Sequence, residues 1–153
     1  IVVNNKIWRG NNYNAGEIGR MLVDGVHWEK MASMTALIKS AKLRGLDIEE
    51  GKDVFDLYDQ GDKVAQLVVG EFYRNLGKGI ANLVYIFNPE AVIIGGAISA
   101  RDDFGFEINR YADYYLVEGF QSTLDIIPAH FKNDGGILGA YCNFVDRYGK
   151  EEN

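Results

Sequence analysis

Apolar residues recur along much of this chain at three- and four-residue steps, and in a few short stretches they run on without a polar break. The first spacing marks one face of an α-helix, and the second a strand buried on both sides. Met34, Leu37, Ile38 and Ala41 predict a helix over 33–43, with Ser33 as N-cap and Gly45 as its stop. A short helix follows at 53–58, between Gly51 and Gly61. Asp62 then caps a long helix to about Phe87, carried by Val64, Leu67, Val68, Phe72, Leu76, Ile80, Leu83, Val84 and Phe87. Gly77 and Gly79 interrupt it, each at a cost of about 1 kcal/mol against Ala, so close packing or a local break is expected there. Asn88-Pro89-Glu90 ends the helix, because the residue before a proline is driven out of the α region.

The unalternated run 91–94 predicts a strand buried on both faces, closed by Gly95-Gly96. A Tyr-rich helix is expected over 104–116, capped by Asp102 and Asp103, and a second short strand over 124–127, ended by Pro128. A last helix over 136–148 carries Ile137, Leu138, Ala140, Tyr141, Phe144 and Val145 on its apolar side, and Glu151-Glu152-Asn153 forms a frayed tail. At the other end, Ile1-Val2-Val3 and Lys6-Ile7-Trp8 flank Asn4-Asn5, a pair that tolerates positive φ and suits a two-residue hairpin turn. The order helix, strand, helix, strand, helix is that of an α/β domain, with no internal repeat and no linker. Ile1-Val2-Val3 looks like the middle of a strand, and no Met precedes it. The expectation is a fragment, with another lobe before it.

Composition narrows the function. The 153 residues are 47% hydrophobic and 25% charged, which fits a globular domain. The net charge of −6 argues against binding a nucleic-acid backbone, which needs surplus cations. Cys142 is the sole cysteine, so neither an internal disulfide nor a Cys-rich zinc site can form; a reducing cytoplasm suits the chain, and a disulfide-free secreted domain would look the same. No segment is apolar over enough length to span a bilayer, and no signal peptide is visible.

Three constellations could carry chemistry. Ile93-Ile94-Gly95-Gly96-Ala97-Ile98-Ser99 runs from a strand into two glycines, and in open α/β sheets ligands lie beyond the carboxyl ends of strands. There glycines would admit a flat ring or a phosphate, or simply make a turn. Asp134-Gly135-Gly136-Ile137-Leu138-Gly139-Ala140 opens a helix, either as an anion site or, the reading favoured, as a tight turn with Gly139 and Ala140 packing closely. The third is Glu17 in the Gly- and Asn-rich loop from Arg9 to Gly19, together with Glu29. Carboxylates accept hydrogen bonds from paired hydroxyls, as in sugar recognition, although two isolated glutamates are ordinarily solvated surface charge. The two histidines, His27 and His130, build neither a triad nor a metal cluster by spacing. Tyr111, Tyr114 and Tyr115 suit a core or a partner surface.

Together these segments resemble the ROK family of repressors, open reading frames and sugar kinases. Lys6 to Gly10 and Asn14-Ala15-Gly16-Glu17-Ile18-Gly19 resemble its hairpin and sugar loop. Gly79-Ile80-Ala81-Asn82-Leu83 through Phe87-Asn88-Pro89-Glu90 resembles its long helix and Asn-Pro turn. Ile93 to Ser99 is similar to its adenosine motif, and Gly135 to Ala140 to its C-terminal helix entry. The resemblance implies an α/β fold, the second lobe of an actin-like, hexokinase-like (ribonuclease H-like) ATPase, with 1–153 as that lobe and the first lobe absent from the chain.

By the resemblance, Glu17 and Glu29 are sugar-binding glutamates, with Asn14 and Arg20 beside them, and Gly95, Gly96 and Ala97 contact the nucleotide. No catalytic residue is expected here, since the family's base Asp lies upstream, so the fragment alone should be inactive. ATP and Mg are the implied cofactors. The family's zinc-binding His position is Arg20, and its Cys-rich loop is shortened to 21–26, with His27 at the last Cys position. One His cannot make a tetrahedral site, so no zinc is expected, and Trp28 and Arg20 would reshape the pocket. This zinc-less pattern is similar to the β-glucoside kinase-like and glucokinase-like members. The implied reaction is phosphoryl transfer from MgATP to a hexose or glucoside hydroxyl, O6 foremost. The alternative is the sugar-sensing lobe of a transcriptional repressor. A third reading is a degenerate lobe that serves oligomerisation. A sugar partner, a homo-oligomer, no nucleic acid through this lobe, no membrane and a cytoplasmic location complete the expectation.

Overall fold

The computed structural model describes residues 1–121, 124–132 and 134–149. The chain divides into two compact units, Ile1–Gly79 and Ile80–Asn153. The expected tail at Glu151–Asn153 lies outside the described residues.

In the first unit, β1 (Val2–Val3) and β2 (Lys6–Ile7) pair antiparallel, with Val2 opposite Ile7. Asn4 and Asn5 take φ of 52° and 59°, the two positive values that a tight hairpin of this hand demands. A second hairpin follows, β3 (Leu22–Val23) with β4 (Val26–His27), turned by Asp24 and Gly25 at φ 51° and 78°. Helix α1 (Met34–Leu43) is capped by Ser33, whose Oγ accepts from the Ala36 N–H at 3.2 Å, and the chain leaves it through Gly45 at φ +88°. Helix α2 (Gly51–Asp59) begins two residues earlier than its apolar pattern indicates. A capping box explains the extension: the Asp53 carboxylate accepts from the Glu49 and Glu50 N–H groups at 2.8 and 2.9 Å. Helix α3 (Lys63–Phe87) is capped by Asp62, whose Oδ1 accepts from the Ala65 N–H at 2.8 Å. Leu37, Ala41, Val54, Phe55, Val68, Phe72 and Tyr73 form the buried interior, with the Phe55 and Tyr73 rings edge to face.

In the second unit, β5 (Ala91–Ile94) and β6 (Asp125–Pro128) form a parallel pair, with Val92 opposite Ile126. Helix α4 (Phe104–Asp113) packs on β6, and Asn109 Nδ2 donates to the carbonyl of Ile126 at 3.0 Å. Phe104, Ile108, Ala112 and Ile126 are buried.

Several expectations change here, and α4 stops at Asp113 rather than running to 116. The strand β5 is not buried on both faces: Ile93 is 65% exposed, so the face that carries it has no covering layer among the described residues. Asp103 precedes α4 without a side-chain cap, since its carboxylate takes the Arg101 guanidinium instead, with Nε–Oδ1 and Nη2–Oδ2 both at 2.9 Å. Helix α5 (Gly135–Tyr148) forms where its period places it, yet Ile137, Tyr141 and Phe144 stay exposed. A Cβ on Gly139 would meet nothing within 4 Å, so among the described residues the close packing expected at Gly139 and Ala140 does not form.

Candidate functional site

The Gly- and Asn-rich loop is held by its backbone. The Ala15 N–H donates to the Arg9 carbonyl at 3.2 Å, and a Cβ on Gly10 would sit 2.8 Å from the Ala15 Cβ. Gly16, at φ +93°, turns the chain, and its carbonyl accepts from the Ile18 N–H at 2.7 Å. Asn14 and Glu17 are exposed on this loop. Glu17 immediately precedes a single 3-10 turn, Ile18–Arg20. A second such turn, Trp28–Lys30, carries Glu29 and packs against the first.

The contact between the two turns is close. A methyl on Gly19 would lie 3.2 Å from the Glu29 Cβ and 3.3 Å from its Oε2, so only the bare backbone of residue 19 leaves the carboxylate its place. The structure therefore brings Glu29 onto the turn that follows Glu17. Arg20 closes the first turn, and its carbonyl oxygen lies 2.8 Å from His27 Nδ1. A carbonyl can only accept, so the proton sits on Nδ1, and His27 serves as a tie across the hairpin base. The Trp28 N–H to Met21 carbonyl bond, at 2.8 Å, adds a second tie.

The shortened segment 21–26 is thus the hairpin of β3 and β4. The Asp24-Gly25 pair is the sequence signal that could have marked it. Lys78 of α3 pairs with Asp24 at the turn. Trp28 is buried, and its indole N–H donates to the Asn75 carbonyl of α3 at 2.8 Å. A Cβ on Gly79 would fall 1.9 Å from the Trp28 ring, which is the close packing that a glycine inside this helix predicts. Among the described residues, no group of three or more His, Cys, Asp or Glu side chains could hold a metal ion.

The nucleotide candidates Gly95, Gly96 and Ala97 belong to the second unit. They follow the carboxyl end of β5. The Gly96 N–H donates to the Lys132 carbonyl at 3.3 Å, and the Gly96 carbonyl accepts from the buried Ser99 Oγ at 2.7 Å. Gly96 has φ +91° and ψ 176°, a region only glycine enters cheaply, and a Cβ there would meet nothing within 4 Å. Gly95 and Ala97 are exposed. Two glycines thus leave the end of β5 without Cβ atoms at 95 and 96.

Comparison with known proteins supplies the frame for both sets. A model of the ROK family matches residues 1–146. A β-glucoside kinase of Listeria monocytogenes is 31% identical over 99% of this chain and 54% of its own length. A glucokinase of Streptomyces coelicolor is 32% identical over 92% of this chain and 53% of its own. Among solved structures, a ROK family glucokinase from Streptomyces griseus, in complex with glucose and AMPPNP, superposes with a TM-score of 0.79 at 28% identity, covering 90% of this chain and 54% of that one. The chain spans about half the length of the relatives it matches. The fold is that of the ROK sugar kinases, within the actin-like ATPase class.

Proposed function

Because this chain belongs to the ROK family, we propose that it supplies the second lobe of an ATP-dependent sugar kinase acting on a hexose or a β-glucoside. The observation that carries the reading is the seating of Glu29 against Gly19, on the turn that Glu17 opens. Two exposed carboxylates on adjoining turns can each accept from ring hydroxyls, and two such acceptors fix a sugar's orientation as well as its position. Asn14 and Arg20, both exposed and near Glu17 in sequence, would offer donors to the remaining oxygens.

The reaction class is in-line phosphoryl transfer, in which catalysis is mostly positioning and charge stabilisation. Glu17 and Glu29 would hold the ring so that one hydroxyl, O6, faces the γ-phosphoryl group. Gly95, Gly96 and Ala97 would receive the adenosine. The base that takes the hydroxyl proton is assigned to no residue of this chain. Bound with the ATP phosphates, Mg2+ would neutralise charge on the transferred group. Kinase relatives support this reading, as does the glucose and AMPPNP present in one fold neighbour.

The test is ATP-dependent phosphorylation of glucose and β-glucosides by the full-length protein carrying this chain, with calorimetric sugar titration of Glu17→Ala and Glu29→Ala. Each variant removes a charged acceptor and should weaken sugar binding by about 1.5–3 kcal/mol. Unchanged affinity in both would end the assignment. Sugar binding without phosphorylation would redirect it to a sensing lobe.

A further inference from the structure

We infer that Trp28 is a positioning residue: its seat in the Gly79 notch of α3 fixes Glu29 for sugar binding. The inference rests on the assignment of Glu29 to the sugar and extends it to how that carboxylate is held.

Glu29 is exposed and sits on a turn of three residues, too short to hold its own shape. Something outside the turn must hold it. On one side stands Trp28, 7% exposed, with its indole filling the volume that a side chain at Gly79 would take. Ring atoms Cε2, Cζ2 and Nε1 would lie 1.9, 2.3 and 2.3 Å from a Cβ there, so the fit admits glycine alone. The indole N–H reaches the Asn75 carbonyl, which in an α-helix already accepts from the Gly79 N–H. That second donor gives the ring a direction as well as a depth. On the other side, Asn75 Nδ2 donates to the Met31 carbonyl at 3.4 Å. Both ends of the Glu29 turn are therefore fastened to one residue of α3. The Trp28 carbonyl accepts from the Met31 and Ala32 N–H groups at 3.0 and 2.9 Å, which closes the turn. The close approach of Gly19 further limits where the carboxylate can lie. A buried aromatic ring beside a solvent-facing acid thus converts helix geometry into carboxylate geometry.

The test is a double-mutant cycle in the full-length protein carrying this chain, read as Kd for glucose and, separately, KM for ATP. Trp28→Phe keeps a ring in the notch and loses the N–H. It should weaken glucose binding about three- to tenfold, the worth of one hydrogen bond, and leave KM for ATP unchanged. In a Glu29→Ala background the same substitution should add nothing, because the group it positions is gone. Gly79→Ala expels the indole and should weaken glucose binding further. A Trp28→Phe effect of equal size on glucose and ATP, or one that persists in full without Glu29, would make Trp28 a plain core residue and overturn the inference. Failure of the sugar assignment itself would show separately, as a Glu29→Ala variant with native glucose affinity. If Gly79→Ala does not fold, the Trp28–Glu29 cycle decides alone.

Discussion

Gly19→Ala separates binding from stability, because the two should move in opposite directions. The added methyl would lie 3.2 Å from the Glu29 Cβ and 3.3 Å from Oε2. Ordinary contact begins near 3.4 Å, so the glutamate must yield by a few tenths of an ångström. It can do so, since Glu29 is exposed and its carboxylate has solvent to move into. Gly19 also lacks a positive φ, so alanine brings no backbone strain. Reduced freedom in the unfolded chain should then stabilise the fold by about 0.4–1 kcal/mol. On the proposed sugar-binding role, the displaced carboxylate would lose part of a charge-assisted hydrogen bond to the sugar, worth about 1.5–3 kcal/mol when whole. A loss of about a third to a half of it corresponds to roughly three- to tenfold weaker binding. Thermal melting of the variant with and without glucose, together with calorimetric titration, reads both quantities on one sample. Native glucose affinity in a variant that melts at or above the wild-type temperature would refute the reasoning, because the contact would then be incidental.

Two further outcomes follow from the local chemistry. The Asp53 carboxyl is held below its ordinary value by hydrogen bonds from the Glu50 and Glu49 N–H groups. A lowered carboxylate contributes stability that is present above the unfolded value, about 3.9, and lost as pH falls through the folded value. Asp53→Ala should therefore melt earlier than wild type at neutral pH and converge with it in strong acid; parallel melting curves from pH 7 to pH 2 would contradict this. Gly96→Ala must place a side chain at φ +91°, at a cost of about 1–3 kcal/mol, while its Cβ would meet no protein atom. Denaturant unfolding should show that loss, and fluorescent-nucleotide titration of the full-length protein should show weaker adenosine binding; native values in both would remove Gly96 from the site.

Much of the fold was legible because local rules act alone at those places. Ser33 and Asp62 cap helices that their apolar periods already mark, and Asn4-Asn5 carries its hairpin by backbone preference. Where side chains had a choice, sequence was less informative. Asp103 could cap α4 or pair with Arg101, and it takes the guanidinium, a charged partner within two residues. The exposure of Ile93 and of the apolar face of α5 depends on what else stands beside those elements, which a local pattern does not carry. The turn residues Asp24-Gly25 could have marked their hairpin, but strands of two residues give no alternation to read. Within the candidate site, a glycine at position 79 signalled a close neighbour. That the neighbour is Trp28 is a matter of tertiary fit.

The bond from the Trp28 indole to the Asn75 carbonyl joins residues 47 apart in sequence. Closing so long a span is entropically unrewarded until the helix that bears Asn75 has formed and docked. On the sugar-binding reading, the carboxylate beside Trp28 should take up its position only after that docking. Acquisition of sugar affinity during refolding would then act as a clock for the final docking event, lagging behind the helical signal seen by circular dichroism.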